Sequence, residues 1–131
     1  MQQWVGYAAI GDGGLWTSGE ITGLSDLRVK TNLRRIEGAL QKALAIGGFL
    51  CDRTDTGRKD EAVVVAQELL AAEMTGLVTG SDEELYSVAY PKMAAYFVEA
   101  FRDVAALIAD QAAALAEQAA EIAAPKARLE A

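Results

Sequence analysis

The chain of 131 residues contains no histidine, a single cysteine and only two prolines. Without histidine it lacks the usual general base, the partner of a nucleophilic serine or cysteine, and the commonest metal ligand. We therefore predict no catalytic residue, no metal site and no cofactor. Carboxylate-only chemistry remains open, with Glu68, Glu73, Glu99 and Asp103 nearest the apolar stripes. Their spacing does not force them together, so we favour solvated helix faces.

The single cysteine also bears on the compartment. Cys51 has no second cysteine for an internal disulfide, which suits a reducing environment. The first residues lack the basic start and long apolar stretch of a signal peptide. The longest apolar run, residues 43–51, is far shorter than the roughly 20 residues of a membrane helix. The sequence predicts a soluble protein that is not secreted and does not enter a membrane.

Glycine is concentrated at the start of the chain, where residues 1–24 hold six. This density favours an extended or irregular arm over a helix, because each glycine loses much backbone entropy on folding. Both tryptophans, Trp4 and Trp16, lie in the arm and need a place to bury their rings. They pack on their own domain in a monomer, or on a neighbour in an oligomer.

The rest of the chain has helical periodicity. Apolar residues at steps of three and four predict one helix from Ser25 or Asp26 to about Ile46, and a second from about residue 58 or 59 to Val78. Ser81 opens a capping box for a third helix, which either kinks near Pro91 or gives way there to a new one. The fold class predicted is therefore all-α.

An apolar stripe beyond the proline predicts the centre of the core. It consists of Met93, Phe97, Phe101, Val104 and Ile108. Tyr86 and Tyr90 lie just upstream and are expected to join it. Together these residues predict a bundle of three to four helices.

Charge is distributed unevenly along the chain, whose net charge is −7. Such a surface repels nucleic acid as a whole. The first predicted helix is the exception, because its outer face carries Arg28, Lys30, Arg34 and Arg35. This face is either an ordinary solvated surface or a docking surface for an acidic partner or a nucleic-acid backbone.

The end of the chain has a seven-residue repeat. Its first position holds large apolar residues and its fifth holds alanine: Phe101, Ile108, Leu115, Ile122, Leu129; Ala105, Ala112, Ala119. The repeat predicts one long helix, from Lys92 to Ala124 and ended by Pro125, with an apolar seam. Such a helix is about 50 Å long, more than the width of a domain of this size. We therefore expect three parts: an arm (1–24), a helical domain (25–104), and a projecting heptad helix with a short tail (105–131).

This order of elements resembles the small helical head–tail adaptor proteins of tailed bacteriophages. The likeness is one of architecture and covers residues 25–110. It implies a ring of identical subunits, portal and tail proteins as partners, a virion or host-cytoplasm location, and DNA at most passing through a central channel. Arg28, Lys30, Arg34 and Arg35 would then contact an acidic neighbour.

The sequence thus favours a structural subunit of a homo-oligomer, with a virion connector as its specific form. Candidate interface residues are Trp4, Trp16, Ile108, Leu115 and Ile122. The alternative is a cytoplasmic helical protein-binding or regulatory module that oligomerises through its C-terminal heptad helix, which captures a partner helix. An enzyme is a third possibility, and we do not favour it.

Overall fold

A computed structural model describes residues 10–11, 14–15 and 17–130, with side chains described from 17 to 125. Trp4 and Trp16 lie outside these residues, as does most of the predicted arm. The α-helices are α1 (Ala39–Leu44), α2 (Ala66–Ala71) and α3 (Met93–Glu130), and Leu27–Val29 and Tyr90–Lys92 form short 3-10 helices. The strands are β1 (Ile10–Gly11), β2 (Gly14–Leu15), β3 (Phe49–Cys51), β4 (Glu61–Val63), β5 (Val78–Thr79) and β6 (Ser87–Val88).

The predicted all-α class is wrong, because the protein is mixed α/β. Within the described ranges, strands pair as antiparallel hairpins: β1 with β2, β3 with β4, and β5 with β6. The register of the middle hairpin sets Phe49 opposite Val63 and Cys51 opposite Glu61. A bundle of three to four helices is therefore not what this chain forms.

The chain divides into two compact units. Unit 1 comprises Met1–Arg34 and Phe49–Val63, and unit 2 comprises Arg35–Gly48 and Val64–Ala131. Unit 2 contains all three α-helices of the described chain and the β5–β6 hairpin. The three-part division at residues 24 and 104 stays a prediction.

The first predicted helix, from about residue 25 to 46, is wrong over most of its length. Only Ala39–Leu44 is α-helical, and Leu27–Val29 forms a single 3-10 turn. Asp26 accepts a hydrogen bond from the Arg28 amide at 2.8 Å, a local bond that competes with helix formation. Gly38, with φ of 64°, adopts the left-handed conformation just before α1, so the helix cannot extend backwards.

The second predicted helix is also wrong in extent. Glu61–Val63 pairs as strand β4, and only Ala66–Ala71 is helical. Valine is stiff at its branched carbon and fits an extended chain better than a helix, so the run 63–65 keeps the backbone extended up to α2. Glu73 then takes φ of 54°, which ends the helical stretch.

The helix predicted from Ser81 is replaced by the β5–β6 hairpin. The Ser81 hydroxyl does accept from the Glu84 amide, at 3.3 Å, but this bond closes a turn and no helix follows. Pro91 lies in the first turn of the 3-10 helix, where its missing N–H costs nothing, and α3 begins at Met93. A new helix therefore starts near Pro91.

The core of unit 2 is small and lies around the start of α3. Five side chains that are at most 5% exposed form it: Leu69, Met74, Leu77, Met93 and Tyr96. Ile36, Ile46, Val64, Ala72, Val78 and Val88 pack against it. The predicted aromatic stripe is thus wrong at Phe97, Phe101 and Ile108, which are 41%, 73% and 60% exposed, whereas Met93 is buried and Val104 is partly buried.

Replacing Tyr96 by phenylalanine tests how this core is tied together. The Tyr96 hydroxyl donates to the Thr75 carbonyl at 2.8 Å, so Tyr96→Phe should lower the free energy of unfolding by about 1 kcal/mol near neutral pH. Burial raises the pKa of Tyr96 above its usual 10.0. Its contribution is therefore complete below pH 10 and is lost as pH rises through the raised pKa.

Urea unfolding of both proteins from pH 7 to above pH 10 checks this. The stability difference should shrink as the tyrosine ionises in the wild-type chain. A difference that stays constant or grows above pH 10 contradicts the assignment.

Candidate oligomerisation surface

Helix α3 continues far beyond the core on which it packs. Met93, Tyr96 and Ala100 are buried, at steps of four or fewer residues. From Ala105 to Pro125, every residue is exposed. The 38 residues of α3 correspond to about 57 Å of helix, of which the exposed stretch is more than half. The helix also contains Pro125, so the prediction that it ends there is wrong.

An apolar seam runs along this exposed stretch. Its large residues are Ile108, Leu115 and Ile122, exposed by 60%, 64% and 69%. Alanine occupies the position three residues before each of them, at Ala105, Ala112 and Ala119. Alternating steps of three and four keep all six on one face of the helix. We call these six residues the α3 seam.

The charged residues of the exposed stretch lie away from the seam. Residues 105–125 hold Asp110, Glu117 and Glu121 and no lysine or arginine. Asp110 and Glu117 follow Ile108 and Leu115 by two residues, which is about 200° around the helix and hence the opposite side. The residues flanking the seam are uncharged: Ala109, Gln111, Ala116 and Gln118. The seam is therefore an apolar strip without a charged border.

The base of α3 is fixed by carboxylates that bind the segment Arg35–Gly48. Glu99 pairs with Arg35 at 2.9 Å, and its own side chain is only 16% exposed. Asp103 Oδ2 accepts from the Leu40 amide at 3.0 Å. This amide is one of the free donors of the first turn of α1, and Gly38 offers no side chain to cap it. Glu68, which lies in α2, also binds this segment, since its side chain accepts from the Gly47 amide at 2.7 Å.

These bonds give a structural role to three of the four carboxylates considered for chemistry. The fourth, Glu73, takes part through its carbonyl oxygen, which accepts from Lys42 Nζ at 3.1 Å. Lys42 and Glu73 also lie in the lining of an open cleft of about 540 Å³ in unit 2. They are the only ionisable residues in that lining, so the cleft offers no pair of carboxylates for acid–base chemistry.

The basic residues do not share one helical face. Arg28, Lys30 and Arg34 belong to unit 1, whereas Arg35 belongs to unit 2 and pairs with Glu99. Arg28 forms an ion pair with Asp26, and its hydrogen bond holds the pKa of that carboxyl below the usual value. Lys30 Nζ donates to Ser25 Oγ at 3.1 Å. The predicted basic face is therefore not formed by one helix. A docking role for these residues stays a prediction.

The same stretch of unit 1 shows apolar exposure that the sequence did not suggest. Five large side chains between residues 21 and 33 are 63–84% exposed: Ile21, Leu24, Leu27, Val29 and Leu33. The helix predicted from residue 25 to about residue 46 included Leu33, whose helical spacing to later apolar residues would have placed it on the apolar face. The signal against that interpretation was local, since Gly19, Gly23 and Asn32 favour non-helical backbone.

The residues that the structure describes include no cluster of three or more potential metal ligands. None of the described helices has the length and apolar character required to cross a membrane. Cys51 is half-buried in strand β3. The following turn contains an ion pair between Arg53 and Asp55, whose hydrogen bond lowers the pKa of Asp55 to about 2.

Comparison with models of known protein families, with curated proteins and with solved structures gives no significant match.

Removing the carboxylate that caps α1 should loosen the base of α3. Asp103→Ala deprives the Leu40 amide of its acceptor, and the loss of a helix cap costs about 1 kcal/mol. Asp110→Ala is the matched control, because Asp110 is exposed seven residues further along the same helix. Urea unfolding at neutral pH measures both. Equal effects of the two substitutions would show that the Asp103 bond does not stabilise the fold.

Proposed function

We propose that this protein is a structural assembly subunit that associates with copies of itself through the α3 seam. The observation that carries the proposal is the exposure of the seam over residues 105–122, on a helix anchored only at its base. Water-exposed apolar side chains in a regular heptad pattern are typical of helices that pair. Scattered exposed apolar residues are ordinary, but a continuous stripe marks an interaction surface.

The size of the seam indicates how strong this association is. Fully burying one large aliphatic side chain is worth about 1.5–3 kcal/mol, and six such residues are shared by a pair of seams. Since each is already partly covered by its own helix, the pair gains roughly 5–10 kcal/mol. Association itself costs about 4–15 kcal/mol in lost freedom. The two ranges overlap, so we expect an equilibrium that depends on protein concentration.

A ring-forming head–tail connector is the more specific form of this proposal. It would add portal and tail proteins as partners, and a virion or host-cytoplasm location. Two features behind that resemblance, the long helices from residues 25 and 59, are absent. The support for an assembly role therefore comes from the seam. A ring of cyclic symmetry requires in addition a head-to-tail contact, because such rings are generated by a heterologous interface.

A helical binding or regulatory module is the alternative. The same seam favours it to the extent that an amphipathic helix of another protein can occupy an apolar strip. The two functions differ in the mass of the purified chain. A module whose heptad helix captures only the helix of another protein stays monomeric alone, and a module that oligomerises through this helix forms two to four subunits. An assembly subunit of the connector type forms a larger ring.

A charge placed in the seam tests the proposal. We expect purified wild-type protein to have a mass above its 13.9 kDa monomer, rising with concentration, by light scattering on a sizing column. Leu115→Glu should shift it towards the monomer, because pairing would bury a carboxylate without a partner. Ala113→Glu adds the same charge on the opposite side of α3 and should leave the mass unchanged.

Both substitutions lie in the exposed stretch and remove no contact of the unit 2 core. At a concentration low enough for the wild-type chain to be monomeric, thermal unfolding should therefore be the same for all three proteins, which serves as the control for folding. A monomeric wild-type protein at all concentrations contradicts self-assembly and favours the binding module. Equal behaviour of the two variants contradicts the seam as the contact surface.

A further inference from the structure

We propose that the α3 seam is occupied by the α3 seam of a second copy, in antiparallel orientation about a twofold axis. This inference rests on the proposed self-assembly and specifies its partner, direction and register. Ile108 then faces Ala119 of the second copy, and Leu115 faces Ala112. Ile122 faces Ala105 in the same way. Along the length of the helix, the twofold axis lies level with residues 113 and 114, whose side chains are not part of the seam.

The alternation of small and large residues along the seam favours an antiparallel over a parallel pair of helices. In a parallel pair in register, alanine meets alanine in one layer and a large residue meets its own copy in the next. Such layers demand two different helix separations, leaving gaps at one level and crowding at the other. In the antiparallel pair every layer joins one alanine to one large residue. A single, short separation then satisfies all six layers.

The length of the exposed stretch determines the register, that is, which residues of the two α3 helices lie opposite one another. Residues 105–125 are exposed, whereas Val104 and Asp103, just before them, are partly buried. The proposed register pairs residue 105 with residue 122 and so uses all six seam residues of each copy. A shift by one heptad towards the core would bring the partner helix beside the base of α3, where Asp103 binds α1. A shift the other way would leave Ala105 and Ile108 without a described partner.

The distribution of charge along α3 permits a second copy at the seam. The protein is acidic, with net charge −7, so two copies can meet only where their carboxylates point away. Asp110 and Glu117 do so, because they lie on the side of α3 opposite the seam. The bordering residues Gln111 and Gln118 are uncharged. The twofold axis places Gln111 of one copy near Gln118 of the second copy. A basic partner helix would instead be expected to meet acids along this border.

A twofold pair closes on itself. A larger assembly built from such pairs would need a second contact surface on each subunit. The exposed apolar residues of segment 21–33 in unit 1 are one described part of the chain with that character.

Cysteine cross-linking of the full chain distinguishes the two directions. Both proteins carry Cys51→Ser, and one has Ala105→Cys while the other has Ile122→Cys. The two positions are about 25 Å apart along α3, so a disulfide reports one direction only. After mixing, equilibration in a glutathione redox buffer and non-reducing mass spectrometry, we expect the disulfide between residues 105 and 122 to dominate. Replacing Ala105→Cys by Ala106→Cys, which leaves the seam, should reduce its yield at least tenfold.

The outcomes separate this inference from the proposed function. Disulfides mainly between like positions, 105 with 105 and 122 with 122, show a parallel pair and overturn the antiparallel arrangement while self-assembly stands. The antiparallel arrangement is also overturned if light scattering finds the cysteine variants associated but no 105–122 disulfide forms. If the wild-type chain and the variants are all monomeric, the proposed function fails together with the inference.

Discussion

Helix α3 is longer than the core on which it packs, and this mismatch leaves an apolar face of the helix uncovered. The buried contacts of α3 end at Ala100, whereas the helix continues to Glu130. A helix of this length is supported by its alanine content, since alanine has the highest helix propensity. Propensity explains why the helix persists in water, but not why large apolar residues recur every seventh position. These apolar side chains are removed from water only if another surface covers them.

The carboxylates at the base of α3 determine where the uncovered part begins. Glu99 and Asp103 bind Arg35 and the first turn of α1, and this short segment covers α3 up to about residue 104. Each of these contacts joins residues more than sixty positions apart. They fasten the long helix to a small core, so that the exposed seam starts at a defined position on a fixed base. An interface that depends on register benefits from such a base.

The long heptad pattern correctly predicted a helix after Pro91, although not its end, because α3 continues past Pro125. The role of the seam as an interface stays a prediction. Prediction from the sequence failed where apolar spacing alone was taken to mean a helix. Residues 25–46 have the right spacing, but Gly38 and Asn32 take positive φ, and the side chain of Asp26 binds the backbone locally. Val63–Val65 has the β-branched character of a strand, and pairing with Phe49 decides the matter. Pairing partners distant in sequence are not visible in a local pattern.

The candidate surface is thus the part of the protein that sequence reasoning predicted most directly, whereas the anchoring bonds required the structure. Hydrogen exchange along α3 at several protein concentrations tests the central claim that the seam is covered by another copy. Association stabilises the paired state in proportion to the logarithm of concentration above Kd. Amides of residues 105–125 should therefore exchange more slowly as concentration rises, while those of residues 93–104 should not change. Equal exchange of residues 105–125 at every concentration would show that no second copy covers the seam.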